Sequence, residues 1–191
     1  MTAASTIALI GAPGAGKSTV GRQLAARLDL PFVDVDARIE AEQGRLIREI
    51  FADQGEAHFR ELERDTSLDA LSRPGVVSLG GGAVMTPAIA EALREVTVVW
   101  LSVSVTQASR RVGLNQARPL LLGNMRATLI KLLAERTPVY QNLATITVDA
   151  DRTGVRAIVD QIISELKEVD EWVKANPKEV AAQFSPALGI P

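Results

Sequence analysis

The sequence predicts an α/β fold in which a doubly wound, parallel five-stranded sheet carries helices on both faces. Short apolar runs rich in β-branched residues recur along the chain, with helical patterns between them: TIALI (6–10), PFVDVD (31–36), GVVSL (75–79), VTVVWLSV (96–103) and ATITV (144–148). Strands that are apolar throughout are typical of parallel sheets buried on both faces. Ligands of such folds bind at the carboxyl ends of the strands, so functional residues are expected there.

The composition narrows the class of protein. A chain of 191 residues is long enough for one full α/β domain. Its net charge of −2 gives no general attraction for nucleic acid. The absence of cysteine excludes disulfides and thiolate metal sites and fits a reducing compartment. The first apolar run is too short for a membrane segment and has no basic leader before it. We expect a cytoplasmic monomer with no nucleic-acid or membrane partner.

Two stretches depart from the alternation of strands and helices. Residues 37–73 carry only helical pattern, with a break at Gly55 and a stop at the Arg73-Pro74-Gly75 sequence. This is more helix than one crossover needs, so we predict an inserted helical region. The polar, glycine-flanked residues 113–124 are typical of a mobile lid.

These features predict a single domain over residues 1–169. Within it, substrate-binding helices are expected over about 34–62 and the lid over about 113–124. Residues 170–191 contain three prolines and are predicted to form a partly ordered tail after the last helix, with no assigned role.

The segment GAPGAGKST (11–19) lies between the first apolar run and a helical pattern. Gly11, Gly16, Lys17 and Ser18 fit the pattern G-x-x-x-x-G-K-[ST] in full. Glycines let backbone N–H groups turn toward phosphate oxygens, and the helix that follows adds its N-terminal dipole. Lys17 would reach the β- and γ-phosphates, and the Ser18 hydroxyl would ligate Mg²⁺. The predicted nucleotide-binding residues of this loop are Gly14, Ala15, Gly16, Lys17, Ser18 and Thr19.

A phosphate loop does not specify the reaction. The chain has no Asn-Lys-x-Asp segment to read guanine, which disfavours a GTP switch. Thr19 stands where the dinucleotide fingerprint needs its third glycine. An ATP-driven motor or a regulatory ATP-binding module stays open as a second class.

Asp34 and Asp36, in FVDVD, follow the second predicted strand. Residues two apart on a strand face the same side, so both carboxylates are expected to point into the crevice near the phosphates. One would hold Mg²⁺ through water, and the other would hydrogen-bond a hydroxyl acceptor or take its proton.

Three arginines fall in elements that surround this crevice: Arg60, with Glu63 on the same helix face, Arg118 in the lid, and Arg136 before TPVY. A phosphorylated acceptor would be a poor neighbour for Asp36, since two unit charges about 4 Å apart repel by roughly 1 kcal/mol in water and about 4 kcal/mol at an effective dielectric of about 20. A polyhydroxy acid fits better, with hydroxyls on Asp36 and Glu63 and a carboxylate on an arginine.

Three consecutive glycines follow the third predicted strand in SLGGGAV (78–84). Glycine has no side chain to pack and weakens regular structure. The run therefore predicts that an acceptor or a metal-bound water approaches the backbone here.

In this order, the segments resemble the shikimate kinase family. The resemblance covers about residues 8–165 and rests on the phosphate loop, DVD (34–36), FRELE (59–63), LGGGAV (79–84), RRVG (110–113), RPLL (118–121) and ERTPVY (135–140). It implies a three-layer P-loop fold like that of nucleoside monophosphate kinases, with strand order 2-3-1-4-5. It also implies transfer of the γ-phosphate of MgATP to the 3-hydroxyl of shikimate. Gluconate kinase, or another small-molecule kinase of this fold, is the alternative enzyme.

The resemblance further implies a role for each matching residue. Lys17, Asp36 and Arg118 would be catalytic, with Asp36 as candidate base and Arg118 moving in with the lid. Asp34 would lie near the waters of the metal bound by Ser18. The implied shikimate site consists of Asp36, Arg60, Glu63, Gly81, Gly82 and Arg136. Two further arginines, Arg111 and Arg152, would contact the adenine; the segment VDADRTG (148–154) around the second lacks the proline that the family often has there.

Overall fold

The computed structural model describes residues 6–115, 122–151 and 154–175. Five parallel strands form one sheet in the order β2-β3-β1-β4-β5: β1 (Thr6–Ile10), β2 (Phe32–Asp34), β3 (Gly75–Ser78), β4 (Thr97–Ser102) and β5 (Ile146–Asp149). Both the predicted fold class and the predicted strand order are confirmed.

Seven helices of the described chain connect and cover the strands: α1 (Lys17–Leu28), α2 (Val35–Gln43), α3 (Ile47–Leu71), α4 (Pro87–Ala92), α5 (Val105–Asn115), α6 (Leu122–Leu143) and α7 (Val155–Ala175). Short 3-10 turns at Ala83–Met85 and Leu93–Glu95 flank α4.

The hydrophobic core consists of two layers because alternate strand residues face opposite sides of the sheet. In β1, Leu9 packs toward α1, α5 and α7, whereas Ala8 and Ile10 pack toward α2, α3 and α4. All three side chains are fully buried. The continuous apolar runs of the sequence therefore serve both faces of a three-layer domain.

The predicted helical insertion is present as α2 and α3. The backbone at Gly55 has φ 81° and ψ 173°, so α3 breaks where the sequence predicted; these angles are closed to residues with a side chain. An ion pair from Arg38 of α2 to Asp69 of α3, at 2.7 Å, joins the two helices. The assignment of residues 34–62 to substrate binding stays a prediction.

The second strand is shorter than predicted. It ends at Asp34, which caps α2 by accepting a hydrogen bond from the backbone N–H of Ala37 at 3.2 Å. Asp36 therefore lies in the first turn of a helix, and the strand alternation used to align it with Asp34 was wrong. An aspartate at a helix N-cap stabilises helix over strand.

The start of the predicted tail also differs. The final helix α7 continues to Ala175, so the first residues of the predicted tail are helical, as the apolar spacing Ile162, Leu166, Val169 would allow. The predicted lid overlaps the end of α5 and the start of α6, while Arg118 within it lies outside the described residues. Residues 176–191 of the predicted tail also lie outside the described residues.

Candidate active site

The phosphate loop connects β1 to α1, and its glycines adopt the conformations that the motif requires. Gly16 caps α1 in the left-handed region, with φ 92°. Gly11 has φ 140°, and a Cβ there would lie 2.6 Å from the carbonyl oxygen of Leu101. The loop thus packs against β4 while the N-terminus of α1 opens at its centre, where an anion binds favourably.

Lys17, the first residue of α1, folds back onto the loop. Its Nζ donates hydrogen bonds to the carbonyl oxygens of Gly11, at 2.8 Å, and Ala12, at 3.1 Å. Burial lowers the pKa of Lys17 to about 8, while the carboxylates of Asp36 and Asp34 favour its charged form. A phosphate in the loop would favour the ammonium further.

A cavity of about 510 Å³ lies at the carboxyl ends of β1, β2 and β3. Its lining consists of Pro13, Gly14, Gly16, Lys17, Ser18, Thr19, Asp34, Asp36, Ser78, Leu79, Gly81 and Arg111. Most of the predicted donor-side residues therefore meet in one place. Among the donor-side residues that the structure describes, Ala15 does not line the cavity, because its side chain is buried in the core and its N–H donates to the carbonyl oxygen of Ala12.

Ser78 is a lining residue that the sequence gave no reason to select. It is 3% exposed, ends β3, and pairs with Asp34 of β2 across the ladder. Its position could have been inferred from the strand order, because the residue paired with Asp34 on the neighbouring strand lies at the same carboxyl edge of the sheet.

Asp36 is the most perturbed carboxyl of the cavity. Burial, followed by the nearby charge of Asp34, raises the pKa of Asp36 to about 6, and Lys17 partly offsets this. Asp36 is therefore mostly ionised at neutral pH yet close to a pH at which it can take a proton.

The oxygen donors at the nucleotide end suit magnesium. Ser18 and Asp34 line the same cavity, and Mg²⁺ is usually held by one or two protein oxygens together with waters and substrate phosphates. No cluster of three acidic or histidine side chains that could hold a metal occurs in the described ranges. The residues fit a metal that arrives with the nucleotide.

The glycine segment, residues 80–82, lies between the phosphate loop and helix α3. A Cβ on Gly80 would collide with Glu63 Oε1 and lie 3.0 Å from Asp36 Oδ1. A Cβ on Gly82 would lie 2.8 Å from Arg60 Nη1. At Gly80 and Gly82, side chains of the protein itself occupy the space that a Cβ would take, so these glycines also serve packing; the approach of an acceptor to this backbone stays a prediction.

Arg60 and Glu63 form a half-buried ion pair beside the glycine segment. Arg60 Nη1 donates to Glu63 Oε2 at 2.6 Å, and Arg60 Nη2 to Glu56 at 3.0 Å. Glu63 is 1% exposed, whereas the side chain of Arg60 is 31% exposed. Glu63 thus holds a guanidinium that still reaches solvent and an incoming anion.

The remaining predicted arginines have different surroundings. Arg111 donates to the carbonyl oxygens of Gly14, at 3.2 Å, and Ala150, at 2.6 Å, and so ties α5 to the phosphate loop and to the end of β5. Arg136 on α6 lies close to the Tyr140 hydroxyl and adds a repulsive charge to the surroundings of Lys17. Arg118 and Arg152 lie outside the described residues.

A sequence model of one family, shikimate kinase, matches residues 13–167. The chain belongs to the shikimate kinase family. It is 51% identical to a shikimate kinase of Mycobacterium avium over 85% of this chain and 93% of that protein. It is 50% identical to the shikimate kinase of Thermobifida fusca over 83% of this chain and 92% of that protein.

Solved structures agree with this family. The shikimate kinase of Acinetobacter baumannii, determined in complex with shikimate, superposes with a TM-score of 0.82 at 34% identity, covering 87% of this chain and 94% of that one. A gluconokinase of Sinorhizobium meliloti shares the fold with a TM-score of 0.61 but is only 18% identical, over 91% and 97% of the two chains.

Membership of the shikimate kinase family makes the chain an ATP-dependent phosphotransferase with MgATP as phosphate donor. Within the residues placed by the structure, no helix combines the length and apolar character needed to cross a membrane.

Proposed function

We propose that this chain moves the γ-phosphate of MgATP to the 3-hydroxyl of shikimate, with the predicted residues in the following roles. The observation that carries the proposal is that Lys17 and Asp36 line one cavity between the phosphate loop and the glycine segment. A cation for the transferring phosphate and a carboxylate for the acceptor hydroxyl are thereby adjacent.

On the donor side, Lys17 exchanges its two carbonyl partners for phosphate oxygens and neutralises their charge. Ser18 and Asp34 would hold Mg²⁺, Asp34 through water, and the metal would supply charge neutralisation at the phosphates. Arg111 orders the nucleotide side by bridging Gly14 and Ala150, and Arg152 completes the adenine contacts.

On the acceptor side, Asp36 is the general base. The hydroxyl oxygen of shikimate forms a bond to the γ-phosphorus, the bond from that phosphorus to the β–γ bridging oxygen breaks, and the hydroxyl proton passes to a carboxylate oxygen of Asp36. The pKa of about 6 leaves this carboxylate ionised at neutral pH.

The carboxylate of shikimate is held at the other end of the site. Arg60 and Arg136 bind it, while Glu63 fixes the guanidinium of Arg60 or binds a ring hydroxyl. Gly81 and Gly82 let the ring approach the backbone. Arg118 closes with the lid and meets the transferring phosphoryl group.

ATP consumption by the pure protein with shikimate, with gluconate and with no acceptor tests the assignment. We expect consumption with shikimate alone. Consumption with gluconate would favour the alternative enzyme, whose fold this chain shares. No consumption with either acid while ATP still binds would favour a regulatory module.

A monomeric state and a cytoplasmic location belong to the same proposal and stay predictions. Sedimentation equilibrium checks the first, and fractionation of the source cells checks the second.

A further inference from the structure

Tyr140 of α6 connects the two ends of the acceptor site, although the proposed mechanism does not use it. Its hydroxyl donates to the carbonyl oxygen of Gly81 at 2.6 Å and lies close to the guanidinium of Arg136, one helical turn earlier. Tyr140 is 1% exposed. A buried tyrosine with both partners in place is held in one orientation.

The aromatic ring of Tyr140 is fixed by the core. It stacks on Trp100 of β4, with centroids 6.0 Å apart and an interplanar angle of 26°. The ring therefore belongs to the sheet packing, while the hydroxyl alone reaches the edge of the site.

The glycine segment depends on this hydroxyl. The carbonyl oxygen of Gly80 accepts from Ala83 N–H at 3.1 Å, and that of Gly82 accepts from Met85 N–H at 3.0 Å. Both bonds belong to the 3-10 turn that follows. Among the contacts of the described chain, the carbonyl of Gly81 is met by Tyr140 instead.

We propose that Tyr140 is a positioning residue for the acceptor, holding the Arg136 guanidinium and the Gly81 backbone at a fixed separation. This rests on the proposed function, because Arg136 and Gly81 are there assigned to shikimate. Tyr140 itself touches neither the phosphates nor the reacting oxygen; it sets the site through its two partners.

Tyr140→Phe removes the hydroxyl and keeps the ring. We expect the KM for shikimate to rise about tenfold, because the substitution removes one hydrogen bond and leaves its partner, the carbonyl oxygen of Gly81, without the hydroxyl donor. The KM for ATP and kcat should stay within about twofold. Trp100→Phe is the matched control: it disturbs the ring packing and leaves the hydroxyl, so it should lower thermal stability with a smaller change in the KM for shikimate.

A double-mutant cycle tests whether Tyr140 affects the KM for shikimate through Arg136. If Tyr140 acts through Arg136, its substitution in the Arg136→Ala background should raise the KM for shikimate by clearly less than in wild type. Full additivity, or parallel increases in the KM of both substrates, would overturn the positioning role.

A direct probe covers the case in which Tyr140→Phe does not fold. The chain has a single tyrosine, so tyrosine labelled with a carbon isotope at Cζ gives one NMR resonance in the wild-type protein. Shikimate should move that resonance, and an unmoved resonance at saturating shikimate overturns the proposal. A wild type that does not turn over shikimate contradicts the proposed function instead, which keeps the two failures distinct.

Discussion

The phosphate loop is built largely from backbone supplied by one continuous segment, whereas the acceptor side is assembled from side chains of separate elements. Gly11, Gly16 and Lys17 act within seven consecutive residues, and the loop carbonyls hold the lysine. Asp36, Glu63 and Tyr140 come from three helices that meet around the glycine segment.

This difference indicates how the fold, turnover and substrate affinity should respond to single substitutions on each side. Donor-side geometry comes from backbone angles and one charge, so loss of that charge should remove chemistry and leave the fold. Acceptor-side geometry comes from packed, mutually dependent side chains, so changes there should divide between turnover and affinity. The predictions below test this division.

The largest effect is expected for Arg118→Ala in the lid. An arginine that meets a transferring phosphoryl group is worth roughly 10³–10⁵ in rate, and a contact made mainly in the transition state affects kcat. Steady-state kinetics should show that loss with little change in the KM for shikimate. Arg126→Ala, at an exposed position of α6, is the control. A rise in KM alone would make Arg118 a ground-state clamp.

Lys17→Ala should reduce transfer to background, a loss of about 10³ or more, because its charge stabilises the phosphates during the reaction. Circular dichroism should be unchanged, since the loop shape depends on backbone angles. Lys131→Ala, whose side chain is 80% exposed, should retain full activity. Unchanged turnover in Lys17→Ala would exclude the phosphate-loop mechanism.

Asp36→Asn keeps the shape of the side chain and removes its charge. We expect turnover to fall by about 10²–10⁴, the range for a lost general base, while ATP still binds. In the wild type, kcat/KM should fall as the pH drops through about 6, where Asp36 becomes protonated. If a nucleoside monophosphate bound the wild type better than shikimate in calorimetry, and Asp36→Asn bound it better still, the acceptor would be a phosphate.

Arg60→Ala removes a charge-assisted hydrogen bond to the acceptor carboxylate. Affinity for shikimate should fall roughly ten- to a hundredfold, with a smaller change in kcat. Isothermal titration measures this directly. Arg64→Ala, on the same helix and paired with Asp65, is the matched control. Equal losses in both variants would point to an effect of helix charge in general.

The two regions also differ in how far the sequence predicts them. The phosphate loop is contiguous, so its spacing alone predicts a role for Lys17. The strands are apolar on both faces, and this pattern predicts a parallel sheet covered by helices on both sides. Asp36 was placed at the right edge by the wrong argument, because Asp34 caps a helix immediately after a three-residue strand. The sequence analysis assigns no individual role to Ser78 or Tyr140, since their contacts involve neighbours distant along the chain.

The smallest effect concerns the stability of the ligand-free protein. The folded-state pKa of Asp36, about 6, lies above its ordinary value of 3.8. Between these values the folded protein binds more protons than the unfolded chain, so this group's contribution to stability is lost as the pH rises through about 6. Asp36→Asn should therefore be more stable than wild type near pH 7, by on the order of 1–3 kcal/mol, and the gap should close near pH 4.

Denaturant unfolding at the two pH values measures this gap, with Asp170→Asn at an exposed position of α7 as the control that should show none. The opposing contribution comes from Lys17, whose buried charge Asp36 helps to stabilise. If Asp36→Asn proved less stable than wild type near pH 7, the attraction to Lys17 would outweigh the cost of burying the carboxylate. The donor and acceptor sides would then be coupled in stability through Lys17 and Asp36. They would still differ in how they are built, one from a continuous loop and the other from separate helices.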